Sequence, residues 1–371
     1  MSMRVFCGPF QPSLEDAFVE CVRKLAASRA TFAVVAPSRR MAERLQRLLA
    51  LERGLSVLGC RFHTFYSLAL EVFDEEGSLT KDLVADGLFH DKVVDSVLAA
   101  KFRGRASTRG LAGAYRSSIR DLVDCGFSPE SYRQDFAGLL KDGPEKKRLE
   151  EVLQVQEEYL RRLSASGVLP PSGLTRLAAE AVERGAEPAL ERYAELLYYS
   201  FYDLTGAQTD FFSAVAKARP VCVFFPYIKD HPGYRFARRF YEEVLHAGGA
   251  APIHLEARSA SRALGPVLDA LSRPARRAVL ARENALVVIS ASGAGDEAWA
   301  AAKEILRLRA GEDPPDFSEI GIVARTLEPY RSTLVAVLRE NAIPFSLGSG
   351  DPLLRHPIAK LCLSLLQLGR R

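Results

Sequence analysis

Apolar positions along this chain follow two regimes. Short unbroken apolar runs at residues 4–8, 31–36 and 57–62 alternate with stretches where apolar side chains return every three or four positions. Leu14, Phe18, Val22 and Leu25 form one such stretch, Met41, Leu45, Leu48 and Leu49 a second, and a third runs to residue 73. A continuous apolar run suits a strand buried on both faces, and such strands separated by amphipathic helices imply a parallel sheet with helices on each side. Pro37 and Ser38 supply the turn and N-cap for a helix over 39–52. From 79 to 189 strand-like runs vanish and helical periodicity remains, as at 91–100 and 145–163, which predicts an all-helical insertion. Strand-like runs return at 196–201, 221–225 and 251–255, so one sheet is expected to be interrupted and then resumed.

An Arg- and Ala-rich connector over 257–284 precedes a second unit. There, expected strands at 285–290, 320–324 and 343–347 alternate with helices over 296–309 and 327–341, and a last helix covers 352–368. About three strands are fewer than such sheets usually contain, so 285–371 is expected to be the truncated beginning of a second lobe. The expected domains are thus a first lobe (1–78 and 190–256), the helical insertion (79–189), the connector and the second lobe.

Composition narrows the class. With 371 residues, 48% hydrophobic and 26% charged, and with 26 Gly and 20 Pro, the chain is globular rather than disordered or collagen-like, and long enough for two to three domains. Its net charge of +4, from 50 Lys+Arg against 46 Asp+Glu, is too small to mark a nucleic-acid binder by itself. Cys7, Cys21, Cys60, Cys125, Cys222 and Cys362 stand singly, with no CxxC pair and no His at ligand spacing, so neither a metal site nor a disulfide framework is indicated. No apolar run approaches the ~20 residues of a membrane span. A reducing, cytoplasmic setting without membrane contact is expected.

A strand ending in Gly before a loop and helix is where nucleotide-binding α/β proteins place a phosphate cradle. A working cradle, G-x-x-x-x-G-K-[ST], needs backbone N–H groups facing phosphate, a Lys, and a hydroxyl for Mg²⁺. Here residues 8–15 read Gly-Pro-Phe-Gln-Pro-Ser-Leu-Glu. Gly8 remains, two prolines remove donors, Leu14 takes the Lys position, and Glu15 takes the hydroxyl position with the wrong charge.

Several further stretches resemble, in order and spacing, the motifs of superfamily 1 helicases of the UvrD/Rep type. Phe32-Ala-Val-Val-Ala-Pro-Ser-Arg39-Arg40 and Arg61-Phe-His63-Thr64-Phe-Tyr66-Ser-Leu-Ala resemble the strand-contacting motifs Ia and Ic. Residues 197–208 resemble the Walker B segment, with Asp203 and Gln208 matching but Tyr199 and Ser200 in place of the metal-binding Asp and the water-activating Glu. His231-Pro-Gly-Tyr234-Arg235-Phe236 is similar to the motif carrying a phosphate-sensing Gln and a stacking aromatic, with His231 where the Gln would be. Leu255-Glu-Ala-Arg258-Ser resembles the Asn-Tyr-Arg-Ser motif closing the first lobe, and residues 320–345, around Arg325, resemble the opening of the second.

A helicase frame with both Walker sites dissolved resembles the AddB family of AddAB helicase–nucleases and, more distantly, RecC. That resemblance implies a degenerate P-loop NTPase-like, RecA-like α/β lobe with a helical insertion, followed by the start of a second RecA-like lobe. It implies a non-motor DNA-binding subunit in double-strand-break end processing and recombinational repair, with no catalytic residue in this chain. ATP and Mg²⁺ would belong to an AddA/RecB-like motor partner, and the nuclease domain and iron–sulfur cysteines would lie beyond residue 371.

DNA, as a single strand or a duplex end, is then the expected ligand. Between Asp95 and Asp121 the chain carries Lys101, Arg103, Arg105, Arg109, Arg116 and Arg120 and no acidic residue, a pattern open to phosphate tracking or to a solvated helix face. Arg39 and Arg40 begin a helix, where backbone N–H groups also meet phosphates. For His63, Thr64 and Tyr66, strand contact and core packing both remain open, and the aromatic cluster Tyr198, Tyr199, Phe201, Tyr202, Phe211 and Phe212 is expected to be strand core. Arg258 and Arg325 are inter-lobe candidates. Two other functional classes stay in view: a divergent ATPase, and an α/β protein-interaction scaffold with no DNA role.

Overall fold

The computed structural model describes residues 3–74, 85–102, 109–170, 172–185, 188–256, 265, 286–347 and 356–368. Six strands, β1 (Met3–Gly8), β2 (Phe32–Val35), β3 (Cys60–His63), β4 (Glu195–Tyr199), β5 (Val221–Pro226) and β6 (Ala251–His254), form one sheet in the order β3-β2-β4-β5-β1-β6. Every pairing is parallel, with Val5 opposite Val223 and Val34 opposite Leu197. This is the α/β architecture of a RecA-like lobe.

Strand alternation explains why the runs lack polar positions. Val5, Cys7, Leu196, Tyr198, Val223 and Phe225 face one core, while Leu197, Tyr199, Cys222 and Phe224 face the other. The second core is closed by α1 (Glu15–Ala27), through Phe18 and Val22, and by α2 (Arg39–Arg47), through Ala42 and Leu45. The first is closed by α3 (Phe65–Asp74) and by two helices later in the chain. The strand expected over 57–62 begins only at Cys60, because Leu58 sits in a turn and is 92% exposed.

The helical excursion contains α4 (Gly87–Lys101), α5 (Arg109–Asp124) and α6 (Pro144–Ala165), whose Val97, Leu98, Ile119, Val155 and Tyr159 share a core of their own. One boundary moves. The next helix, α7 (Gly173–Glu183), was expected inside the 79–189 insertion, but Leu174, Ala178 and Val182 pack into the sheet's core beside α8 (Gly206–Ala218). Helical periodicity reports that a helix has an apolar stripe, not which core receives it. Arg176 Nη2 donates to the Val123 carbonyl at 3.0 Å and so ties α7 to the end of α5.

The chain divides into two compact units, Met1–Ala281 and Arg282–Arg371. In the second, α9 (Ala294–Arg309) and α10 (Arg331–Glu340) pack Ala298, Ala302 and Ile305 against Leu334, Val337 and Leu338, with Ile343 alongside. A further helix, α11, spans Pro357–Leu368. The runs read as strands at 285–290, 320–324 and 343–347 form no ladder among the described residues. Val288 is 87% exposed and Val323 is 93% exposed. An apolar run becomes a strand only when a neighbour completes its hydrogen bonds, and these runs have none among the described residues.

Candidate nucleic-acid interface

The chemistry of the cradle position decides what this lobe can hold. Leu14 has no solvent exposure and packs in the core with Phe18 and Tyr199. Ser13 is buried, and its hydroxyl donates to the Glu256 carbonyl at 2.6 Å. Glu15 accepts from Gln11 Nε2 at 2.9 Å and lies 3.3 Å from Arg44 Nη2. Gly8 is needed for packing: a Cβ there would meet the Leu255 Cβ at 3.1 Å, and its carbonyl accepts from the Tyr227 N–H at 3.2 Å.

The second half of that site is equally apolar. Tyr199 is buried edge-on against Phe18, with ring centroids 5.1 Å apart, and burial pushes its phenol well above the usual value. Ser200 is buried in a left-handed conformation, φ 67°, which costs a residue with a side chain about 1–2 kcal/mol. Gln208, which matched the motif, is instead the third residue of a capping box: its N–H donates to Thr205 Oγ1 and its Oε1 accepts from the Thr205 N–H. Neither a triphosphate nor Mg²⁺ finds a cation or carboxylate at these positions. The residues do not fit that group.

The expected strand-contacting residues divide into two sets. Arg39 and Arg40 open α2 in full exposure, with Ser38 Oγ capping the Met41 N–H at 3.2 Å and Arg39 beside Glu43 at 3.0 Å. His63 and Thr64 are committed inward. His63 Nε2 is 2.9 Å from Glu71 Oε2, and the Thr64 hydroxyl and N–H engage Ser67 to cap α3. Burial raises the Glu71 carboxyl, but hydrogen bonds from His63 and Tyr193 outweigh it and hold the group below the usual carboxylate range. Tyr66 is 45% exposed.

The basic stretch of the helical domain is partly consumed by its own neighbours. Lys101 Nζ donates to Gln154 Oε1 at 2.6 Å and to the Glu151 carbonyl, and burial lowers its pKa. Arg116 bridges Asp95 at 2.9 Å and Asp91 at 3.6 Å. Arg109 opens α5. Arg103, Arg105 and Arg258 lie outside the described residues. Arg325 is exposed in the second unit, beside Thr326 and Tyr330.

One feature was hidden in the sequence. Tyr202, grouped there with the strand-core aromatics, is 43% exposed and meets Phe236, itself 55% exposed, edge-on at 5.0 Å. Phe236 stacks near Tyr234, whose ring in turn meets His231 at 5.3 Å. These four rings form a ladder at the carboxyl ends of β4 and β5, flanked by the exposed Arg235, Arg238 and Arg239. Ser200's left-handed turn separates the buried Tyr199 from this surface; a turn directly after a strand was the available signal. Exposed rings beside cations can stack bases while holding phosphates.

No protein-family model matches the chain. Two curated proteins do, both named as the AddB subunit of an ATP-dependent helicase/deoxyribonuclease. The one from Desulforudis audaxviator (strain MP104C) is 25% identical over 347 residues, which cover 86% of this chain and 29% of that protein. The one from Symbiobacterium thermophilum is 25% identical over 354 residues, covering 87% and 30%. This chain is related to the AddB-type subunits. It spans less than a third of the length of the curated relatives it matches. The resemblance read from the motifs and the relatives therefore coincide. No helix among the described residues is long and apolar enough to cross a membrane.

Proposed function

We propose that this chain is the helicase-like, non-motor, DNA-binding part of a cytoplasmic helicase–nuclease complex acting at double-strand-break ends in recombinational repair. An AddA/RecB-like motor supplies ATP hydrolysis with Mg²⁺, and the nuclease lies outside these residues. The observation that carries this reading is the exposed ladder of Tyr202, Phe236, Tyr234 and His231 beside three arginines, at the edge of a lobe whose cradle is filled by Leu14 and Tyr199. Stacking tolerates any base, which suits a surface that guides a strand without reading it. The names of the two relatives support the same assignment.

The test is binding of single-stranded and forked DNA across a salt series, on the wild-type chain and on Tyr202→Ala/Phe236→Ala. Salt-dependent binding that the double variant weakens supports the reading. No binding even at low salt would leave the interaction-scaffold alternative standing. Calorimetry with ATP and Mg²⁺ addresses the motor question, and a saturable signal would overturn the non-motor assignment.

A further inference from the structure

A cavity of about 530 Å³ opens at the carboxyl ends of β5 and β6, on the sheet face covered by α3, α7 and α8. It lies across the sheet from α1, so it is not the degenerate cradle. Tyr227 and Tyr241 line it as a stacked pair, centroids 4.6 Å apart and planes 22° apart. Lys229, Arg235 and Arg238 contribute cations, and His231, His246 and His254 contribute imidazoles.

The polar groups point to an anion. Asp230 and Glu242 also line the cavity, but Glu242 accepts from Arg238 Nε at 2.7 Å. Among the described residues no ion pair involves Lys229 or Arg235. The Gly233 N–H donates to His231 Nδ1 at 3.1 Å, which places that ring's proton on Nε2 as a donor. Three cations against two carboxylates leave a positive balance with every imidazole neutral. Cations, imidazoles and stacked rings together suit a phosphate joined to a planar base, and the volume falls within the range of small-molecule sites.

We propose that this cavity binds a nucleoside phosphate, either a free nucleotide or the phosphorylated end of a DNA strand. The second form rests on the DNA-binding reading above; the first does not.

Two probes separate the forms: calorimetry with dAMP, and anisotropy with oligothymidylate carrying or lacking a 5′-phosphate. Both are run at low salt on the wild-type chain, on Arg235→Ala/His254→Ala and on Lys229→Ala. All three altered side chains are exposed, so the fold is expected to persist, checked by thermal melting. Saturable dAMP binding that drops by about tenfold in the double variant supports the free-nucleotide form. A preference for the phosphorylated oligonucleotide that the variants abolish supports the strand-end form. If neither probe responds to either variant, the proposal is overturned. Strand binding that depends on Tyr202 and Phe236 yet ignores the phosphate and Arg235 overturns it while leaving the DNA reading intact. The reverse result, dAMP bound at the cavity with no strand binding, overturns that reading and keeps the cavity.

Discussion

His63 Nε2 lies 2.9 Å from Glu71 Oε2, and Tyr193 donates its hydroxyl to Glu71 Oε1 at 2.6 Å. Arg61 at 3.1 Å and Arg192 at 3.5 Å complete the surroundings of a carboxylate that is only 7% exposed. The knot joins the end of β3 to α3 and to the segment leading into β4, so a residue expected to touch a DNA strand instead holds the lobe's edge together.

That knot makes stability depend on acid. Glu71 has a folded-state pKa below its unfolded value, so its ionised form stabilises the fold above about pH 4.3, and the contribution is lost as pH falls through the folded value. Glu71→Ala, which leaves three partners around an empty site, is expected to cost about 3 kcal/mol at neutral pH. Denaturant melts of wild type and Glu71→Gln from pH 7 to pH 3 should converge at the acid end. A gap that stays constant over that range contradicts the assignment.

Thr64 has the smaller, local role of helix cap. Thr64→Ala should destabilise the chain by about 1 kcal/mol. Its affinity for single strands should not change, because the hydroxyl already engages Ser67. Loss of affinity at unchanged stability would instead restore Thr64 as a strand contact.

Tyr202 and Phe236 should behave in the opposite way. Alanine at either position removes an exposed ring, so melting temperature should barely move, while strand affinity should fall by about 1–3 kcal/mol for each stacked base lost. Unchanged affinity in the double variant would remove the ladder from the binding surface.

Arg39 and Arg40 predict a salt effect. If they contact phosphates, Arg39→Ala/Arg40→Ala should lower the slope of log affinity against log salt by about 0.7 per lost contact on a single strand. Stability should stay within about 0.5 kcal/mol of wild type, since both side chains are exposed. An unaltered slope would place the strand elsewhere.

Rebuilding the cradle should fail. Leu14→Lys puts an ammonium at a site with no solvent exposure, packed among Phe18, Val22 and Tyr199, and should cost several kcal/mol without creating ATP affinity. Measurable ATP binding by Leu14→Lys/Glu15→Thr would mean that the loop can open, and that its packing does not decide the matter.

The sequence alone determined the alternation of buried strands and helices, the helical excursion and the loss of cradle chemistry. Each is written in local residue types: unbroken apolar runs, 3.6-residue periodicity, and Leu14 and Tyr199 where a lysine and a carboxylate are required. It did not determine which core α7 joins, or that the apolar runs of the second unit stand without ladder partners, because periodicity describes a face and not its neighbour. Nor did it separate Tyr202 from Tyr198 and Tyr199, or His63 the strand contact from His63 the partner of Glu71. Those outcomes depend on residues brought together across 34 positions for Tyr202 and Phe236, and across 130 for His63 and Tyr193, and only the folded chain sets such distances.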